Sequence, residues 1–307
     1  MQISVVIPAG RATGSLERTL RSLVEQDFPG PWELIVVANP PNLAIKGLAA
    51  ALATARVPEI RVLESAVRGV NRAKNIAIEA ARGDVVYFLD DDCLLERRDH
   101  IARVVRRHAE WPGAAAIGGL YRSPARAPGP CRFYNTLVDV WLCRSRLGDG
   151  RQRDLAGGNV AYKRRVFDAA LRFDERIVYG GDETEFHHRL IAAGETLLLC
   201  GDPVIHDFAG DWRSIFTRAW KHGRGRARDE HYAALRSERR TAIDDPALRR
   251  AALAWAPLLT LYRVIVELGA RCGQGARSSK RVPQPAAIAA RPIREETCRA
   301  SHETLSG

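Results

Sequence analysis

The 307-residue chain lacks the cysteine spacing of a zinc site or a redox centre. Its six cysteines form no CxxC pair, and no cluster of histidine and cysteine has zinc-finger spacing. It also lacks a basic start followed by an apolar stretch and a cleavage site, so residues 3–7 are predicted to be a strand and not a secretion signal. These absences predict reduced thiols and a cytoplasmic location, with peripheral attachment to the inner face of the membrane left open.

Two phosphate-binding fingerprints are absent as well. Neither GxGxxG nor GxxxxGKS/T occurs, so a dinucleotide fingerprint and a P-loop are not supported. The formal net charge of +11 predicts attraction to anions in general, whether nucleic acid, anionic lipid or phosphate-bearing substrates. Because no nucleic-acid module is recognised and aromatic residues do not interleave with the basic run, we expect no nucleic acid partner.

Short apolar runs alternate with helical patterns over the first 90 residues. This alternation predicts an α/β fold with a doubly wound, mainly parallel sheet and helices on both faces. Ligands of such sheets bind beyond the carboxyl ends of the strands, so the loops after Ile7, Ala38 and Leu89 border one crevice. The predicted strands are 3–7, 33–38, 60–63 and 85–89. A first helix is predicted from about Ser15, whose hydroxyl can cap it, and two further helices are predicted at 43–55 and 71–81.

Beyond residue 120 the pattern becomes less regular. Residues 121–155 mix proline, glycine, arginine and aromatics, which predicts a long loop or a loosely helical insertion beside a functional site. A nearly apolar segment at 251–270 predicts a C-terminal helix, either in the interface of an anionic membrane or buried in a core. We also predict helices from about Lys163, over 183–193 and over 215–231, a short apolar segment at 196–200 with a turn at 201–203, and a flexible tail from Gln274.

The acidic triplet after the fourth strand is the strongest chemical feature. Asp90, Asp91 and Asp92 repel one another, and such a cluster at a strand end favours a hard divalent cation with oxygen ligands, Mn²⁺ or Mg²⁺. The alternative is a solvated acidic turn. Just before this strand, Arg72 and Lys74 provide cations suited to phosphate oxygens, with Asn75 beside them, although a solvated basic helix face gives the same pattern.

A second acidic site follows two glycines at the start of a helix. Asp182 and Glu183 are placed either to cap that helix or to provide a general base that takes a proton from an acceptor hydroxyl. Gly181 permits close approach of a sugar to the backbone. His206 is either a further metal ligand or a hydrogen-bonded core histidine.

Over roughly residues 3–227 these segments resemble family 2 glycosyltransferases of the GT-A fold. Ser4-Val5-Val6-Ile7-Pro8 is similar to the opening strand, and Phe88-Leu89-Asp90-Asp91-Asp92 is similar to the DxD motif and its approach. The later half of the resemblance rests on Gly157-Gly158-Asn159, the acids up to Glu185, His206 and Gly223-Arg224-Gly225. No QxxRW motif follows, which favours a non-processive member.

The resemblance implies inverting, metal-dependent transfer of a sugar from a nucleotide diphosphate donor to an acceptor hydroxyl on a glycan, a lipid-linked molecule or a small molecule. It implies metal ligands at Asp92, Asp90 and His206, and Glu183 as the base, with Asp182 as the alternative because the usual Glu-Asp order is reversed. It places acceptor contacts at Gly158, Asn159 and Gly181. Donor contacts are expected at Pro8, Asn39, Arg72, Lys74, Asn75, Asp90, Asp91 and Asp92.

One departure from the family leaves the donor open. No acid follows the second strand, where Val37-Ala38-Asn39-Pro40-Pro41 stands and many members hold the nucleoside. A nucleotidyltransferase acting on a sugar phosphate and an inactive nucleotide-sugar-binding protein therefore remain alternatives. We predict a nucleotide-sugar half at 1–120, an acceptor-binding and catalytic half at 121–230, a helical segment at 231–273 and a basic tail at 274–307.

Overall fold

A mixed eight-stranded sheet with helices on both faces organises the chain, and the computed structural model describes residues 1–53, 60–147, 150–169, 171–177, 182–226 and 243–274. The strands are β1 (Ile3–Ala9), β2 (Trp32–Ala38), β3 (Ile60–Glu64), β4 (Val85–Leu89), β5 (Cys93–Leu94), β6 (Ala114–Arg122), β7 (Asn159–Lys163) and β8 (Thr196–His206). The helices are α1 (Gly14–Val24), α2 (Leu43–Leu52), α3 (Val70–Ala80), α4 (His100–Glu110), α5 (Gly129–Arg144), α6 (Arg165–Asp168), α7 (Asp182–Ala192), α8 (Trp212–Arg226), α9 (Pro246–Ala254) and α10 (Ala256–Gln274).

The first half of the sheet is parallel, as the sequence predicts. The order is β3-β2-β1-β4, and all residues of β2 and β4 are buried, because α1, α2 and α3 cover the sheet. Leu16, Leu20 and Leu23 form the buried stripe of α1. This arrangement brings the ends of β1 and β4 to one edge of the sheet.

The second half reverses strand direction. β7 runs antiparallel to both β4 and β6, while β6 and β8 are parallel and β5 pairs antiparallel with β8. Leu89 at the end of β4 pairs with Asn159 at the start of β7. The acidic triplet therefore leaves the sheet beside the glycines that precede β7. The predicted α/β fold with a C-terminal helical extension is confirmed.

Several local predictions differ from the structure. Thr13, and not Ser15, caps α1, because its hydroxyl accepts a hydrogen bond from the Leu16 amide at 3.2 Å. The helix predicted from about Lys163 is the short α6, which begins at Arg165 after Lys163 ends β7. The predicted turn at 201–203 lies inside β8, which runs on to His206 with register shifts against β6. The predicted ends of the helices at 43–55 and 215–231 and the tail from 275 lie outside the described residues.

The predicted insertion at 121–155 contains a full helix. α5 begins after Pro128, and buries Cys131, Phe133, Tyr134 and Leu142 against the sheet and the later helices. The sequence of this helix shows no single apolar stripe, because some of its buried residues face the sheet and others face the later helices. It forms one wall of the functional site described below.

The C-terminal apolar segment is two helices. α9 and α10 meet at Trp255 with a bend of 75°. Among the described helices, none alone has the length and apolar composition to cross a membrane, whereas this bent pair meets that test jointly. α10 packs on α8 at Gly223 and Gly269, where an added Cβ would collide with the opposing backbone. The glycine–arginine segment at 223–225 is therefore part of a helix contact.

Candidate active site

The three aspartates after β4 lie on the wall of a large cavity. The Asp90 amide donates to the Gly158 carbonyl at 3.3 Å, which fixes the start of the acidic loop against the start of β7. The cavity measures about 740 Å³, within the range of roughly 300–1,000 Å³ found for small-molecule sites. It extends from this edge of the sheet to α5, α9 and α10.

Four side chains form a candidate metal centre. Asp90, Asp92, Cys93 and His206 offer ligand atoms that all lie within 4.8 Å of one another. Burial raises the pKa of the Cys93 thiol well above its ordinary value, and soft sulfur suits Mn²⁺ and Mg²⁺ less well than carboxylate oxygen. The remaining set of two carboxylates and one imidazole fits a divalent cation such as Mn²⁺ or Mg²⁺ at the predicted ligands.

His206 is oriented by a residue of α5. Its Nδ1 lies 2.6 Å from Asn135 Oδ1. The Asn135 amide nitrogen donates to the His206 carbonyl at 2.9 Å, so the oxygen is left to accept from Nδ1–H. In the neutral ring, the lone pair of Nε2 would then bind a cation on the side of Asp92, whose Oδ1 is 3.4 Å away. Such support is typical of ligating histidines.

Charge repulsion is concentrated in the acidic loop. Burial and the charge of Asp92 raise the pKa of Asp90, and burial with the charges of Asp92 and Asp90 raises the pKa of Asp91 to about 7. Burial acts in the same direction on Asp92, but the charge and contact of His206 outweigh it and keep the pKa of Asp92 below its ordinary value. A bound divalent cation would offset this repulsion.

Two glycines separate Asp90 from Glu183. An added Cβ would overlap the Glu183 carboxylate at Gly157 and the Asp90 carboxylate at Gly158. The Gly158 amide donates to the Tyr121 hydroxyl at 3.0 Å. Glycine at both positions therefore leaves room for two acids on either side of one short loop, and both acids line the cavity.

Lys74 contacts the candidate base. Its side chain is 1% exposed, forms an ion pair with Oε1 of Glu183 and places Nζ 4.9 Å from the centre of the Phe173 ring. The sequence predicts a phosphate contact for Lys74. The structure instead places its ammonium against Glu183, because α3 carries it beneath the start of α7.

Three other predicted donor contacts lie outside the cavity wall. Asn39 hydrogen-bonds the loop that precedes α3, Asn75 binds residues 173–175, and Arg72 pairs with Glu175 at 3.0 Å. These contacts hold loops around the site. The side chains therefore have structural partners instead of facing the cavity.

Asn159 also differs from its predicted role in acceptor binding. It is 3% exposed, and its side chain accepts from the Tyr87 hydroxyl at 2.9 Å and donates to the carbonyls of Leu120 and Asp202. Asn159 thus ties β7 to its neighbours beneath the glycine loop. Its side chain supports the site from below.

The remaining predicted residues fall into two groups. Pro8 and Gly158 line the cavity. Gly181 and the side chain of Asp182 lie outside the described residues, although the backbone of Asp182 begins α7.

Sequence reasoning missed a basic face of α8. Arg218, His222 and Arg226 line the cavity and follow one another at intervals of four residues, which puts them on one face of a helix. Arg218 lies over the Tyr134 and Phe208 rings at 5.4 and 4.9 Å. The four-residue spacing could have indicated this face in the sequence, but α8 carries basic residues on its other faces too, so the spacing did not stand out.

The chain matches the family model described as Glycosyl transferase family 2 over residues 4–169. It is 32% identical over 205 residues to glycosyltransferase AglD of Haloferax volcanii, covering 63% of this chain and 31% of AglD. It is 29% identical over 226 residues to glycosyltransferase AglE of the same organism, covering 73% of this chain and 72% of AglE. The chain thus spans less than a third of the length of AglD.

Solved structures share the fold at lower identity. Mannosyltransferase PcManGT from Pyrobaculum calidifontis, in complex with GDP-Man and Mn²⁺, superposes with a TM-score of 0.58 at 21% identity, over 90% of this chain and 76% of that one. TarS 1–349 of S. aureus, in complex with UDP-GlcNAc, gives a TM-score of 0.51 at 14% identity, over 90% and 91%. These likenesses show the predicted GT-A fold.

Proposed function

The chain belongs to glycosyl transferase family 2 and is a glycosyltransferase, and we propose that it moves a sugar from a nucleoside diphosphate donor to an acceptor hydroxyl with inversion at the anomeric carbon. The observation that carries this proposal is the placement of Asp90 and Glu183 on either side of Gly157 and Gly158 in one cavity. One acid belongs to a centre for the leaving diphosphate, and the other is a base for the acceptor.

The donor site is proposed at the acidic end of the cavity. PcManGT with GDP-Man and Mn²⁺ and TarS with UDP-GlcNAc support a nucleotide-sugar donor of the same class. Asp90, Asp92 and His206 would hold a divalent cation, which would supply positive charge for the departing diphosphate. Arg218 lines the same cavity and adds a second positive charge. In this proposal Asp90 and Asp92 would bind the cation and so orient the donor diphosphate, and they take no part in proton transfer.

Glu183 is proposed as the general base. Its carboxylate takes the proton of the acceptor hydroxyl as that oxygen bonds to the anomeric carbon and the bond from this carbon to the diphosphate oxygen breaks. Attack from the face opposite the leaving group inverts the configuration. Lys74 holds Oε1 of Glu183, so the second carboxylate oxygen faces the acceptor. In this reading residues 1–120 bind the nucleotide sugar, and residues 121–230 bind the acceptor and supply the catalytic groups, with His206 and Arg218 reaching the diphosphate from this half.

A panel of sugar nucleotides tests the proposal. With Mn²⁺ present, one donor should raise the melting temperature of the full chain, because a ligand of the folded state stabilises it. That donor should then release a nucleoside diphosphate when an acceptor is added. Release of pyrophosphate would identify a nucleotidyltransferase, and binding without turnover across acceptor classes would identify an inactive binder; either result overturns the proposal.

A further inference from the structure

Beyond the acidic loop the cavity continues as an apolar arm. We use this name for the part lined by Leu137, Val140 and Trp141 of α5, Ala252 of α9, and Ala256 and Leu259 of α10. The arm is continuous with the space beside Glu183 and Asp90. A sugar hydroxyl needs polar partners, and this wall offers mainly hydrocarbon. The arm therefore suits a part of the ligand that the sugar-transfer chemistry does not require.

Arginines accompany the apolar arm. Arg144 of α5, Arg249 of α9 and Arg263 of α10 line the same cavity and are exposed. Within the described ranges, neither Arg144 nor Arg263 forms an ion pair, while Arg249 donates to the Ile243 carbonyl at 2.8 Å. The cavity thus combines an apolar wall with exposed positive charges. That combination complements an amphipathic anion.

A second observation concerns the outer face of α10. Leu261, Val264 and Leu268 form a stripe on this helix, with exposed fractions of 45%, 49% and 49%, and they do not line the cavity. Soluble surfaces seldom gather large apolar side chains in this way. Helices with such a stripe and flanking arginines lie in the headgroup region of a bilayer. A helix that walls the arm therefore also presents an apolar face of its own to the outside.

We propose that the apolar arm binds the hydrocarbon chain of a lipid acceptor whose anionic, phosphate-bearing head meets the arginines and whose hydroxyl points toward Glu183. The placement of the hydroxyl toward Glu183 rests on the proposed function, in which Glu183 is the base. The lipid enters from a membrane surface on which α10 lies. A soluble glycan acceptor would leave the apolar wall without a partner.

Binding of a simple lipid phosphate to the full chain tests the arm without donor or turnover. Dodecyl phosphate, below its critical micelle concentration, should bind more tightly than butyl phosphate, with each buried methylene improving Kd by at most about fourfold. Inorganic phosphate should bind most weakly. Equal affinity for butyl and dodecyl phosphate overturns the inference.

Two matched pairs of variants locate the site. Ala256→Trp fills the arm from an exposed position and should weaken dodecyl phosphate at least tenfold, whereas Ala254→Trp, exposed on the neighbouring helix and outside the cavity wall, should not. Arg263→Gln should weaken dodecyl phosphate several-fold, whereas Arg271→Gln on the same helix should not. Equal effects within either pair place the ligand on the outer surface and overturn the inference. Because the titration uses no sugar nucleotide, its result is separate from a failure of donor binding or transfer.

Discussion

The two ends of the cavity are built by different means. At the acidic end, strand pairing and buried hydrogen bonds fix each group, as the Asp90 amide bond to Gly158 and the Asn135 support of His206 illustrate. The arm is made from helix faces with apolar side chains and arginines. Group transfer needs placement to within a fraction of an ångström, whereas burial of hydrocarbon has no direction. Changes at the acidic end should therefore damage transfer to every acceptor, and changes in the arm only binding of a lipid.

The largest effect is expected from loss of a metal ligand. Asp92→Asn keeps the size of the side chain and removes one negative charge from the proposed centre. We expect transfer to fall by roughly a thousandfold or more, since charge stabilisation by a cation contributes several kcal/mol. Rates measured over a Mn²⁺ titration check this.

Asp91→Asn provides the matched control for this ligand. Asp91 lies next to Asp92 but outside the set of four ligand atoms. The Asp91→Asn variant should lose less of the transfer rate than Asp92→Asn, and its rate should depend on the Mn²⁺ concentration as the wild-type rate does. An Asp92→Asn enzyme with the wild-type rate would remove Asp92 from the centre.

Removal of the base comes next. Glu183→Gln should lower kcat by about 10²- to 10⁴-fold, the range for a general base, because the amide cannot take the proton. The melting shift caused by the donor and Mn²⁺ should stay near wild type. Equal losses of donor binding and kcat would instead assign Glu183 to the donor site. The loss of kcat and the melting shift should both be the same whether or not the acceptor carries a long hydrocarbon chain.

The first half of the fold could be predicted from the sequence, because its strands and helices are visible as short patterns of neighbouring residues. Each strand from β1 to β3 is a short apolar run followed by a helix, β4 is a fourth such run, and the parallel pairing needs only that alternation. β7 gives no such signal, since its antiparallel pairing with β4 and β6 joins distant segments. α5 was predicted only as the loosely helical alternative to a long loop, because its buried residues face both the sheet and the C-terminal helices.

The site divides in the same way. The acidic triplet and the paired glycines are visible as motifs because neighbouring residues carry the chemistry. The support of His206 by Asn135 and the contact of Lys74 with Glu183 are not visible, because each joins residues far apart along the chain. The inward contacts of Asn159 have the same origin: its motif marks the position, but its hydrogen bonds to Leu120 and Asp202 join it to segments far along the chain. Its role in acceptor binding stays a prediction.

Lys74→Met tests one of these long-range contacts. Methionine fills similar space beside Phe173 and removes the charge next to Glu183, so the carboxylate loses its orienting partner. We expect kcat to fall by roughly tenfold, in the range of a lost charged hydrogen bond, with a smaller change in the KM for the donor. Lys74→Arg should recover part of the rate.

Lys163→Met is the control for the loss of a partly buried lysine. Lys163 bonds to the Trp111 and Pro112 carbonyls and does not line the cavity. Equal losses of activity in both methionine variants, in step with their melting temperatures, would mean that Lys74 matters only for folding.

The smallest effect concerns stability on the arm side of the cavity. Asp139 lies on α5 and accepts a hydrogen bond from the Tyr121 amide at 3.1 Å, and burial raises its pKa to about 8. A raised pKa means that the folded chain keeps this proton while the unfolded chain releases it. The stability it contributes is complete below the ordinary pKa of 3.8 and is lost as pH rises toward 8.

Asp139→Asn keeps an acceptor for the Tyr121 amide and removes this titration. The melting temperature of the variant should therefore rise above that of wild type progressively from pH 5 to pH 8, with about 2–4 °C for each kcal/mol gained. Asp168→Asn, at an exposed aspartate, controls for the loss of one negative charge and should show no such trend. A constant difference across this range would mean that Asp139 is charged in the folded chain, and the α5 side of the cavity would then hold one negative charge against its arginines.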